Sequence, residues 1–180
     1  MVIFKSLKKE VLDKYTNKVF IETGTQHGYG IDVALESGFE KIYSIDIDSK
    51  YHGASSKKFA SYIEEGRINL LIGDSAIYLE KILENVNEPA TFWLDAHADA
   101  GIIGKFKCPV LAELDAISKH HIKTHTIMID DRRMFGEVWG QGISEQDVLD
   151  KIMTVNPNYI ISYENGCEPK DIIVARVNNV

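Results

Sequence analysis

The sequence predicts an α/β domain built on a doubly wound, mostly parallel sheet that ends in an antiparallel hairpin. Three observations predict it. Five short apolar runs alternate with segments of helical periodicity, and each run stops at a glycine or a carboxylate. The last two apolar runs follow one another across a short turn-rich loop, ENGCEPK, with no helix between them. Strand–helix alternation implies crossover connections, hence parallel strands with helices on both faces. Two strands that close in sequence pair antiparallel.

The elements follow in order. Residues 7–15 read as a short helix and residues 18–22 as the first strand, stopped by the glycines of TGTQHGYG. Ile31, Ala34 and Leu35 give residues 29–37 helical spacing, with Gly38 as the C-cap. Residues 41–46 form the second strand, and a helix over 57–65 ends at Gly66. The third strand, 68–72, runs into Gly73-Asp74-Ser75, where Ser75 is placed to cap a helix over 76–85. Residues 91–95 are the fourth strand. Apolar positions 110, 111, 114 and 117 mark a helix over 110–120, before the fifth strand, 126–130. Ser144 caps a helix over 145–153, and residues 159–163 and 171–176 are the hairpin strands.

The 180 residues suffice for one domain with a full core, and 44% apolar with 26% charged content is that of an ordinary globular protein. A net charge of −7 argues against nonspecific binding to nucleic acid or anionic membrane. No apolar run approaches a membrane span, and the opening MVIFKSLKKEVLDKY lacks the order of a signal peptide. Cys108 and Cys167 lie far apart, in no CxxC pair, which suits a reduced, cytoplasmic protein and argues against a thiolate zinc site.

Chemistry gathers at the strand ends. Asp95 closes the fourth strand, and Asp130-Asp131 closes the fifth. In an open parallel sheet that edge is where ligands bind. Three carboxylates meeting there repel one another unless a cation sits between them, which points to a divalent metal. At the first strand end, Glu22-Thr23-Gly24-Thr25-Gln26-His27-Gly28-Tyr29-Gly30 joins strand to helix. Its glycines let a ligand approach the backbone, and the helix start offers unpaired N–H groups. The spacing is not GxGxxG, so the dinucleotide fingerprint is not met. Asp46 ends the second strand where a carboxylate can accept bonds from ribose hydroxyls, and Asp48 competes for that role. Asp74 and Ser75 end the third strand on the same edge.

FIETGTQHGYG, IYSIDID and LLIGDS together resemble the first three motifs of class I S-adenosylmethionine-dependent methyltransferases. The terminal hairpin is similar to the reversed seventh strand of their Rossmann-like fold. The resemblance spans nearly the whole chain. It implies Glu22 and Gly24, with Thr25, Gln26 and Gly28 of the same loop, near the amino acid part of S-adenosylmethionine. It implies Asp46 on the ribose with Ile47 beside it, Asp74 and Ser75 facing the adenine, and Asp95 at the boundary with the acceptor. The pattern Asp95, Asp130 and Asp131 further resembles the metal-dependent O-methyltransferases of catechol and macrocin type. That likeness implies that these three hold Mg²⁺, with Mn²⁺ or Ca²⁺ as alternatives, and that the ion acidifies a substrate hydroxyl. The lysine that serves as base in the catechol type is Ala98 here. His97 is its natural substitute, and Asp95 serves if no metal is bound.

A rival resemblance is carried by Asp95-Ala96-His97-Ala98-Asp99. It resembles a manganese-binding segment of arginase-like ureohydrolases, which adds His97 and Asp99 as candidate ligands. Those hydrolases are much longer, and their motifs come in the opposite order. A cofactor-binding protein without methyl transfer is the third class. Substrate choice falls to residues 98–109 and 132–142. Lys105, Lys107, Arg132, Arg133, Phe135 and Trp139 there suit a small hydroxylated acceptor, anionic or sugar-like. The glycines of the second segment suggest mobility. With little beyond the core fold, either the substrate is large and needs no enclosure or a second subunit completes the site as a homodimer.

Overall fold

The computed structural model describes residues 6–96, 108–137 and 140–178. Seven strands form one sheet: β1 (Val19–Thr23), β2 (Lys41–Asp46), β3 (Ile68–Ile72), β4 (Ala90–Leu94), β5 (Thr126–Ile129), β6 (Ile160–Glu164) and β7 (Ile172–Arg176). Their order is β3-β2-β1-β4-β5-β7-β6. The first five strands pair in parallel, and β7 lies antiparallel to both β5 and β6. This is the expected doubly wound architecture with its terminal hairpin.

Among the described residues, seven α-helices flank the sheet: α1 (Lys9–Leu12), α2 (Tyr29–Glu36), α3 (Ser49–Lys58), α4 (Ala60–Glu64), α5 (Ser75–Leu83), α6 (Val110–Lys119) and α7 (Glu145–Val155). The strands' period of two divides the core into two layers. Phe20, Ile42, Trp93 and Met128 pack with residues of α1 and α2 on one face. Ile21, Phe92, Leu94 and Ile127 pack with α5, α6 and α7 on the other. β1 and β4 are buried along their whole length, which is why they read as continuous apolar runs. Fully buried side chains such as Phe20, Phe92 and Leu114 each contribute roughly 1.5–3 kcal/mol.

The chain winds outward from β1 to β3, then returns to lay β4 on the other side of β1. The winding therefore reverses between β1 and β4, and a crevice opens at such a reversal beyond the strands' C-terminal ends.

Three local expectations are corrected. The helical region after β2 starts at Ser49, not residue 57, because the Asp48 carboxylate accepts the Lys50 N–H at 2.7 Å and caps it. Only Ser55 of α3 is buried, so no apolar stripe marked the helix. Asp74, not Ser75, caps α5, by accepting the Ala76 N–H at 2.9 Å. The strand ends shift by a residue or so, leaving Asp95 and Asp130 just past β4 and β5. Ser144 does cap α7, in a reciprocal pair with Asp147. Among the described residues, no helix is long and apolar enough to cross a membrane.

Candidate active site

Glu22 sits on β1 directly opposite Ser44 of β2. The Ser44 hydroxyl donates to Glu22 Oε2 at 2.5 Å, and the Thr25 hydroxyl lies 2.5 Å from Ser44 Oγ. The first turn of α2 closes over the carboxyl so tightly that a Cβ on Gly30 would fall 1.8 Å from Glu22 Oε1. Glu22 is 1% exposed. Burial pushes its pKa up to about 8 against the opposing Ser44 bond, and the nearby Asp46 charge pushes the same way. The fold thus favours the protonated form of a group that the sequence alone presents as a carboxylate.

Gly24 has φ +87°, and a Cβ there would lie 2.3 Å from the Asp95 carbonyl oxygen. Only glycine lets the loop after β1 press against the end of β4. Backbone bonds continue the ladder past the strands, from Asp95 N–H to the Thr23 carbonyl (3.0 Å) and from Asp130 N–H to that of Leu94 (3.1 Å). The Asp46 carboxylate accepts the Gln26 N–H at 2.7 Å and the Asp48 N–H at 2.8 Å. It thereby holds the glycine loop against β2. Burial raises the Asp46 pKa, and these two bonds lower it.

Asp95, Asp130 and Asp131 converge, as expected. Each offers a carboxylate oxygen within 4.8 Å of the others. Oxygens that share one ion at roughly 2.0–2.6 Å lie no more than about 5 Å apart, so the trio fits a hard divalent cation. Asp130 is 2% exposed, and its Oδ1 accepts the Ser6 hydroxyl at 2.6 Å. Asp131 adopts φ +53° and pairs with the Arg133 guanidinium at 2.7 Å. Arg133 also pairs with the buried Asp171. The Cys167 thiol, in the β6–β7 loop, is raised in pKa by burial and by the Asp130 charge.

Both halves open into one cavity of about 180 Å³. Of the expected site residues, Glu22, Gly24, Thr25, Gln26, Asp95, Asp130 and Asp131 line it. Gly28, Asp46, Ile47, Asp74 and Ser75 stand at or beside the neighbouring strand ends but do not line it; Ile47 is 41% exposed there. His97, Asp99, Lys105, Lys107 and Trp139 lie outside the described residues. Phe135 packs on the α5–α7 core layer. Arg132 is held by Glu145 at 2.8 Å and stacks 4.7 Å from the Tyr163 ring centre. The Gly136 N–H donates to the Ile143 carbonyl, so the described part of that loop closes on itself.

Sequence reasoning missed Ser6, Leu7, Tyr29, Trp93 and Cys167 in the cavity wall. Trp93 stands two residues before Asp95, on the same face of β4. That period-of-two relation was the available signal. Ser6 and Cys167 come from opposite ends of the chain, and only the completed sheet brings them to Asp130.

No protein-family model matches the sequence, and comparison with curated proteins finds no match. Solved structures do match. The chain is similar to a putative rRNA-methylase from Clostridium thermocellum, with TM-score 0.64 and 13% identity over 98% of this chain and 99% of that one. It is similar to an O-methyltransferase from Bacillus cereus in complex with SAH, with TM-score 0.64 and 14% identity over 94% and 78%. A putative methyltransferase from Streptococcus mutans, also with SAH, gives TM-score 0.61 and 15% identity over 93% and 94%. At these identities the likeness is one of fold: the chain has the seven-stranded Rossmann-like methyltransferase architecture.

Proposed function

We propose that this protein is an S-adenosylmethionine-dependent methyltransferase that methylates a hydroxyl of a small molecule with the help of a divalent ion. One observation carries the reading. The glycine loop after β1 and the carboxylate trio after β4 and β5 open into the same cavity, at the point where the sheet reverses its winding. Several solved structures of this fold hold SAH, which supports the donor assignment.

S-adenosylmethionine supplies an electrophilic methyl group on a positively charged sulfur. A divalent ion supplies the charge that acidifies a bound hydroxyl. The chain's own residues then align and exclude water. Gly24 and Gly30 let the backbone come close. Glu22, whose pKa burial pushes up to about 8, is a latent anion for a cationic donor. Asp46 is the proposed partner of the ribose hydroxyls. Asp48, whose carboxylate caps α3, is the competing candidate for that role. Asp95, Asp130 and Asp131 are the proposed ion ligands. His97 is the proposed base, two residues after Asp95, and Asp95 is the second candidate. Acidic lining suits a small acceptor better than a polyanion such as RNA.

The test is a screen of hydroxylated acceptors with labelled methyl donor, with and without Mg²⁺. Label transfer that needs the ion supports the reading. Transfer undiminished by chelation, and unchanged in Asp130→Asn, contradicts the metal assignment.

A further inference from the structure

We infer that the methyl acceptor carries an oxyanion, a carboxylate or phosphate close to its hydroxyl, and that Arg133 is the residue that selects it. The inference rests on the proposed reaction and names its substrate class. Arg133 is the one Lys or Arg among the cavity's described lining residues. The trio carboxylates Asp95, Asp130 and Asp131 line the same wall. Among the described lining residues, the Arg133 guanidinium is therefore the side-chain cation of fixed charge that an anionic substituent can meet.

Geometry separates Arg133 from its neighbour. Arg132 is consumed by Glu145 and by the Tyr163 ring, and it lines no part of the cavity. The left-handed turn at Asp131 and the single 3-10 turn after it send the two adjacent side chains different ways. Asp171 accepts the Arg133 backbone N–H at 3.2 Å and its guanidinium as well, while its own side chain is 1% exposed. That buried anchor fixes the guanidinium at the cavity wall. A cation present only to neutralise Asp171 would be covered with it; this one is 46% exposed and reaches out to Asp131. A guanidinium has five N–H donors in a planar fork, so two carboxylate partners leave donors for a third oxyanion. The guanidinium lies within hydrogen-bond distance of a trio carboxylate. One acceptor molecule can therefore meet the trio with its hydroxyl and Arg133 with its anion.

The test is equilibrium binding of matched acid and neutral pairs to the SAH-saturated protein with Mn²⁺. The pairs are 2-hydroxybenzoate against 2-hydroxybenzamide, and glycerol 3-phosphate against glycerol. The wild type is expected to bind at least one acid about tenfold more tightly than its neutral partner, the scale of one charge-assisted bond. The pair that responds tells carboxylate from phosphate. Arg133→Met combined with Asp171→Asn removes both charges together, leaving no buried carboxylate unpaired. Its preference is expected to fall to about one, with SAH affinity kept. Arg133→Lys, which keeps the charge and the fold, is expected to retain part of the preference. Equal binding of acid and neutral partners by the wild type overturns the inference, as does a preference that survives in the double variant. A wild type that prefers the acids but binds no SAH overturns the reaction and leaves the anion site standing.

Discussion

The two ends of the sheet bury ionisable groups in opposite ways. At the N-terminal end, His125 is fully buried and accepts the Ala90 N–H at 3.0 Å. Its other ring nitrogen meets His120 at 2.8 Å, and His120 in turn reaches the Val86 carbonyl at 3.0 Å. One neutral tautomer of each ring satisfies all of these bonds, and the Phe92 edge closes the contact. At the C-terminal end, Glu22, Asp130 and the rest also lie buried or half-buried, but they face a cavity. Both ends hold strongly shifted pKa values. A displaced pKa therefore does not mark a site by itself. What separates the two is that the histidines use up one another's valences, while the carboxylates converge on one another at a cavity wall.

The sharpest way to break this contrast is to exchange the expected losses. Asp130→Asn should weaken Mn²⁺ binding by about 100-fold or more, and methyl transfer with it, with little change in melting temperature. His125→Ala should do the reverse. It should cost roughly 2–4 kcal/mol in urea denaturation, through a cavity and two orphaned polar groups, and leave ion affinity unchanged. If His125→Ala abolished ion binding in the folded protein, the two ends would not be independent.

The pH dependence of stability sharpens the contrast further. His125 is held down to about 3 by burial, whereas an unfolded histidine takes its proton near 6.5. Below 6.5 the unfolded chain binds the extra proton, so stability falls as pH drops towards 3. Glu22 has the opposite sign. Its carboxyl keeps a proton up to about 8 in the fold but releases it near 4.5 when unfolded. Its contribution is complete below 4.5 and is lost as pH rises to about 8. Between 4.5 and 6.5 the two oppose one another; from 6.5 to 8 Glu22 acts alone, at about 1.4 kcal/mol per pH unit. Glu22→Gln should flatten that decline by roughly 2 kcal/mol between urea melts at pH 6.5 and pH 8. A decline of unchanged steepness in the variant would assign it elsewhere.

The smallest effect separates two neighbouring aspartates. Asp48→Ala should cost about 1 kcal/mol through the lost α3 cap and leave SAH affinity unchanged. Asp46→Asn should weaken SAH binding in calorimetry. Equal losses of affinity in both variants would remove the distinction.

The strand–helix alternation, the terminal hairpin and the strand-end carboxylates were legible because buried strands are apolar runs and their ends carry glycine or aspartate. Other features were not legible, for physical reasons. The residues of α3 bury almost nothing, so the helix has no periodic signature. Asp46 and Asp48 have the same chemistry, and only the hydrogen bonds of the folded loop tell them apart. Arg132 and Arg133 are adjacent and identical in type, and the backbone turn decides which one faces the cavity. Cys167 reaches Asp130 because β7 pairs with β5 and carries the hairpin loop to that edge, and Ser6 arrives from the segment before α1.

The central claim is that one cavity holds a methyl donor beside a single ion. It is tested most directly by calorimetric titration of SAH and of Mn²⁺ into the wild type and Asp130→Asn. The account predicts one SAH and one Mn²⁺ per chain in the wild type, with the ion lost and SAH retained in the variant. Two Mn²⁺ per chain and no SAH would contradict it.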